Sequence, residues 1–212
     1  MNRTLAGAIV AVLALLPPAS TPAEDIARLA QKAVAVIDAL NVERRWPAGV
    51  HVQWESGEPD GKPATGMGKH THCSAFAASA AKHLGVYLLR PPQHPQALLA
   101  NAQYDWLESK GAQEGWQPVR DGVEAQALAN RGLLVVATYR NPKDNKPGHI
   151  AIVRPSDKGR AAIQSEGPQI TQAGGTNYRS TSLKQGFASH PFAWTRNEVR
   201  YYAHAIDLAN AH

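Results

Sequence analysis

The chain has 212 residues, with 22 Lys and Arg against 17 Asp and Glu, a formal net charge of +5 and a single cysteine. One cysteine excludes an internal disulfide framework, and the modest positive excess is scattered, with no basic stripe of the kind that tracks nucleic acid. An apolar content of 43% is ordinary for a globular fold and gives enough material for a packed core.

At the N-terminus, Arg3 precedes an unbroken apolar run from Leu5 to Leu16, and Pro17 to Ala23 is a breaker followed by small residues. This is the pattern of a secretory signal peptide. The run is about a dozen residues, short of the roughly 20 that span a bilayer. Cleavage is expected after Ala23, with Thr21 at the −3 position, or after Ala19 or Ser20. Residues 24–212 are then expected to form one soluble domain, a monomer in the periplasm or outside the cell, without membrane insertion and with a net charge of about +4. An unpaired thiol is a liability in an oxidising compartment unless it is buried, metal-bound or catalytic.

Residues 24–45 read as an amphipathic helix, with Ile26, Leu29, Ala33, Val36, Ile37 and Leu40 at helical spacing, ended by Trp46-Pro47. Val50, Val52 and Trp54 alternate with His51 and Gln53 as a short strand. A loop broken by Gly57, Pro59, Gly61, Pro63, Gly66 and Gly68 leads to Cys73. From Cys73 to Leu84 the chain is alanine-rich and helix-compatible, with Gly85 as its stop. Cys73 therefore lies in the first turn of a helix, where free N–H groups and the dipole favour an anion, so its thiol is expected to be pushed toward thiolate.

Residues 86–95 form a proline-punctuated connector. Residues 96–110 carry a second helical stripe, with Trp106 read as core. Asp121 and Glu124 have capping-box-like spacing and open a helix over 123–130, stopped at Gly132. The period then changes. Residues 133–139 are a buried strand by length and branching, 141–148 are turn-rich, and 149–153 are a strand that begins on a histidine. Residues 161–165, 169–172 and 199–206 read as further strands. Helices first and an antiparallel sheet second is an α+β arrangement in one domain.

A thiol nucleophile needs a base that takes its proton and later returns it to the leaving amine, and histidine suits both steps. Of nine histidines, His149 stands apart because Gly148 and a turn precede it and a hydrophobic strand follows it. A cysteine opening a helix, followed after further helices by Gly-His and an aliphatic strand, resembles the papain-like cell-wall hydrolases: the CHAP amidohydrolase/peptidases and the NlpC-type peptidases. The matching segments are His72-Cys73-Ser74-Ala75-Phe76 and Pro147-Gly148-His149-Ile150-Ala151-Ile152-Val153, with residues 168–177 a third, all within 66–187 and in order.

The resemblance implies a papain-like fold, with the nucleophile at a helix N-terminus and N-terminal helices packed on a C-terminal antiparallel sheet. It also implies Cys73 as nucleophile, His149 as base, amide bonds of peptidoglycan peptides as substrate, and no metal or organic cofactor. Such enzymes place a third polar residue on the strand beside the histidine strand, to fix the imidazole tautomer. Gln172, at a strand end in an Ile-x-Gln-x-Gly context, and Glu166, an acid beside a Gly-Pro turn, compete for this role, with the context favouring Gln172. The Cys73 backbone N–H would meet the oxyanion, with His72 a candidate second donor. Asn101, Gln103 and Tyr104 are candidate cleft residues.

Two other readings stand beside this one. His70, His72 and Cys73 offer two imidazoles and a thiol within four residues, with His83, His204 and His212 as further donors for a periplasmic metal-binding protein, although no established zinc spacing is met. A catalytically silent domain that only binds wall peptides is the other.

Overall fold

A computed structural model describes residues 21–64 and 70–206; the signal-peptide reading of residues 1–20 lies outside them. The chain is α+β. In order, it forms α1 (Pro22–Ala39), α2 (Cys73–His83), α3 (Leu99–Ser109), a 3-10 turn (Gly111–Glu114), β1 (Gln117–Val119), α4 (Gly122–Asn130), β2 (Leu134–Tyr139) and β3 (His149–Val153). It continues with α5 (Arg160–Glu166), β4 (Gln169–Gln172), β5 (Tyr178–Ser182), α6 (Leu183–Gly186), α7 (Pro191–Thr195) and β6 (Arg200–His204). The six strands make one sheet in the order β1-β6-β2-β3-β4-β5, every neighbouring pair antiparallel. Among the described residues, no helix is long and apolar enough to cross a membrane.

Side chains alternate across the sheet, so each central strand supplies two cores. Val136, Ile150, Ile152 and Tyr202 pack with residues of α1, α2 and α3 on one face. Val135, Ala137, Ala151, Val153 and Ile170 pack with residues of α4, α6 and α7 on the other. Both faces being covered explains why β2 and β3 are buried at every position and read as continuous apolar runs.

Three expectations are corrected. Residues 161–165 are not a strand but part of helix α5, since Ala161, Ala162 and Gln164 favour helix and only Ile163 is buried. Helix α1 stops at Ala39, not at 45. Asn41 turns to a φ of 53°, and Asn177 Nδ2 donates to the carbonyls of Val42, Arg45 and Trp46 at 2.8, 2.9 and 3.2 Å, which holds those carbonyls in a turn. The strand expected at 50–54 is reduced to one bridge, Val52 to Pro59. Two edge strands escape the apolar pattern: β5 has no fully buried residue, and β1 carries Pro118, which only an edge tolerates. Helix α1 begins at Pro22, capped by Thr21 and Glu24, so two of its residues, Pro22 and Ala23, precede the expected cleavage point.

A charge network built on the buried Arg154 fastens α1 to the sheet. Arg154, just past β3, reaches Asp38 at 3.0 Å, Thr171 Oγ1 at 3.3 Å and the Arg179 carbonyl, while Arg179 bonds Asp38 at 2.7 Å. Burial pushes the Asp38 carboxyl up, but Arg179 and Arg154 outweigh it and hold it below its ordinary 3.8. Such a carboxylate contributes stability that is complete above pH 3.8 and is lost as pH falls through the lower folded-state value. Asp38→Asn, which leaves Arg154 buried without its acid, is expected to cost about 3 kcal/mol in urea unfolding at pH 7, with a smaller penalty at pH 3.

Candidate active site

Helix α2 places Cys73. All residues from Cys73 to Ala81 are buried, and the run of alanines lets the helix lie close against β3. Its start is held by His72, whose Nε2 meets the Val50 carbonyl at 2.9 Å; because the partner is an acceptor, Nε2 carries the proton. That donor is spent on the loop and is not directed at an oxyanion. Burial lowers the His72 pKa.

The Cys73 side chain is only 4% exposed. Burial raises its pKa, opposed by the backbone N–H groups of Ile150, Ser74 and Cys73 itself, which face the sulfur. The expectation of a thiol pushed toward thiolate is thus reversed at rest: the group is a neutral thiol beside three donors able to receive a thiolate.

Strand β3 begins with His149, and its ring shares the sheet face of Ala151 and Val153. His149 Nε2 meets Gln172 Oε1 at 2.6 Å, and both residues are buried. The amide orientation follows from its other end, where Gln172 Nε2 donates to the Thr176 carbonyl at 3.3 Å. The oxygen therefore faces the imidazole, Nε2 carries the ring proton, and Nδ1 keeps its lone pair. Phe187 packs edge-on against the ring at 4.6 Å, and His190 stacks on it at 5.6 Å while touching Tyr139 at 5.4 Å. Burial lowers both histidines to about 4, with mutual repulsion adding to the effect at His190.

Two glycines make room. A Cβ on Gly186 would stand 2.8 Å from Gln172 Oε1 and overlap Ile170, and one on Gly148 would overlap the Tyr139 carbonyl and stand 2.5 Å from Asn101 Oδ1. Asn101 is buried: Nδ2 donates to the Lys146 carbonyl and Oδ1 accepts from Asn141 N, bracing the loop that precedes His149. Gln103 is also internal, donating to the Ser74 and Leu89 carbonyls. Tyr104 lies near Glu108 and Arg200, and burial raises its pKa. Glu166 ends α5, paired with Lys158 at 2.7 Å, and Gln172 occupies the place beside His149.

Cys73 and His149 approach from different sides of β3. The sulfur lies on the Ile150/Ile152 side against the Ile150 amide, one residue from His149, and among the described residues no hydrogen bond joins thiol to imidazole. Among the described residues the metal donors do not converge. His83 sits at the far end of α2 bonded to the Ser79 carbonyl, His204 bonds the Glu114 carbonyl, and His212 lies outside the described residues. Among the described residues, no group of three His, Cys, Asp or Glu is placed to hold an ion. A cavity of about 750 Å³ near Leu40, Gln53 and His83 and another of about 460 Å³ near Gly122, Trp194 and Tyr201 are lined by neither Cys73 nor His149.

Sequence reasoning missed Phe187, His190 and Gly186. Only the His190-Pro191 pair at the start of α7 carried a local signal, that of a helix start. No family model and no curated protein matches the chain.

Two outcomes follow from burial. Iodoacetamide is expected to label Cys73 at least about tenfold more slowly in the native protein than in denaturant at pH 7.5, read by intact mass. For His149 and His190, a folded pKa below the unfolded 6.5 adds stability that is complete above pH 6.5 and lost as pH falls toward about 4. Their ring resonances should titrate with midpoints about 4, alongside falling melting temperature over that window.

Proposed function

We propose that this chain is an exported cysteine amidase or peptidase of papain-like architecture, cutting amide bonds in peptidoglycan peptides. The observation that carries the reading is the His149–Gln172 bond, which leaves Nδ1 as a free base at the mouth of β3, one residue from the amide that faces the Cys73 sulfur.

In this mechanism, substrate entry brings Nδ1 to the thiol, since apo contacts of this kind are often long and tighten on binding. Nδ1 takes the proton as sulfur attacks the carbonyl carbon. The N–H groups of Ile150, Ser74 and Cys73 stabilise the developing thiolate, and the Cys73 N–H then serves the oxyanion. Nδ1–H protonates the departing amine, leaving a thioester. Water, deprotonated by Nδ1, releases the acid and restores the thiol. Gln172 holds the ring in one tautomer throughout and, being neutral, does not stabilise the imidazolium as a carboxylate would.

The absence of a thiol–imidazole hydrogen bond favours a second reading, a silent domain that binds wall peptides through the same surface. Mass spectrometry of muropeptides incubated with the chain separates the two, because hydrolysis creates new termini and binding does not. Cys73→Ser is expected to abolish the products. Gln172→Ala should lower turnover at least about tenfold with the fold intact, and Glu166→Gln should leave it near wild type. Unaltered muropeptides with the wild-type chain would sink the hydrolase reading.

A further inference from the structure

Arg90 is a cation clasped by aromatic faces and left without an acid. Its guanidinium carbon lies 4.9 Å from the Tyr87 ring centre and 5.9 Å from that of Trp54, and Trp106 braces Tyr87 edge-on at 5.5 Å. Nη1 is buried with no acceptor in reach, and among the described residues no carboxylate pairs with this side chain. Lys82, the other cation on Trp54, is neutralised by Glu55. The contrast matters because the charge has no acid and Nη1 is shut away from water, so an anion could meet the guanidinium only at its remaining Nε and Nη2 edge.

The edge of a guanidinium is a fork that matches a carboxylate in two parallel hydrogen bonds. Its place in the fold is also set. Gln103 Nε2 donates to the Ser74 carbonyl at 3.1 Å and the Leu89 carbonyl at 2.9 Å, which clamps the segment ending at Arg90 to the first turn of α2, next to Cys73. The hairpin that carries Trp54 is tied to the same helix by Ser79 Oγ on the Glu55 carbonyl at 2.6 Å.

We propose that Arg90, set over the Tyr87 and Trp54 rings, binds a free carboxylate of the peptide substrate. This rests on the hydrolase reading for what the peptide meets at Cys73, while the anion site itself does not. The half-buried Trp54 and Tyr87 rings offer flat apolar surface for the chain beside the carboxylate.

The test uses a stem-peptide fragment prepared from purified cell wall and the same fragment with its carboxylates converted to carboxamides. Calorimetry with the Cys73→Ser protein reads binding without turnover, and kcat/KM with wild type reads cleavage. The acid form is expected to bind at least about tenfold more tightly than the carboxamide. Arg90→Gln should abolish that preference, and Arg90→Lys should keep part of it, because charge remains but the planar fork is lost. Equal binding of the two peptides, or a preference that survives Arg90→Gln, overturns the proposal; the wild-type comparison needs no variant to fold. An Arg90-dependent preference without any cleavage keeps the anion site and removes the hydrolase reading. Cleavage with equal kcat/KM for the two peptides does the reverse.

Discussion

The hydrogen bond from His149 to Gln172 is made where neither group can reach water, and that constraint shapes much around it. A buried imidazole loses the hydration that would favour its charged form, so the neutral ring is the stable state and its single proton must be spent on an acceptor. A glutamine oxygen meets that need without adding charge. A carboxylate in the same place would itself require a buried counter-ion, and the acid nearest in sequence, Glu166, is instead paired with Lys158 at the end of α5. The glycines at 174 and 186 follow from the same demand, because each leaves space that a methyl group would take from the Gln172 amide.

At Cys73 two opposing effects meet, and their sizes decide the outcome. The N-terminus of a helix favours an anion by about 0.3–1 kcal/mol, up to roughly 2 in partly buried settings. Full burial shifts a pKa by as much as about 3–5 units, at roughly 1.4 kcal/mol each. Burial wins, and the thiol stays protonated at rest. The donors around the sulfur become useful only once a base has taken the proton, which couples formation of the nucleophile to the arrival of substrate and its effect on His149.

Where local pattern and tertiary context agree, the sequence is legible. Strands β3 and β4 start and stop where their residues indicate, because both faces of β3 are buried and turns bracket each strand. The start of α2 and the cap of α4 are equally plain, with Asp121 accepting from Val123 and Glu124. Gln172 as the partner of His149 is favoured over Glu166 by its Ile-x-Gln-x-Gly context, through the resemblance and not through any local pattern of its own. The misses at the end of α1, at Cys73 and at β5 involve long-range partners. Nothing near residue 40 announces that Asn177, more than a hundred residues on, gathers the carbonyls that end α1. The helix-end argument for Cys73 was sound locally, but burial by distant elements reversed its sign. Tyr178–Ser182 shows no apolar alternation because it pairs only at an edge, with β4 as its one neighbour.

Asn177 also explains how the first helix and the candidate site come to share one support. Its Nδ2 holds the turn after α1, and its Oδ1 accepts the Gly174 amide at 3.0 Å, within the loop whose Thr176 carbonyl orients the Gln172 amide. Asp38, one turn earlier on α1, reaches Arg154 beyond the far end of the histidine strand. The helix is therefore tied to the sheet both at the loop that sets Gln172 and at the strand that carries His149. Loosening α1 would relax the amide orientation and hence the imidazole tautomer before it exposed either core, because the amide is held by hydrogen bonds to this loop while the cores are closed by α2, α3 and α4 as well.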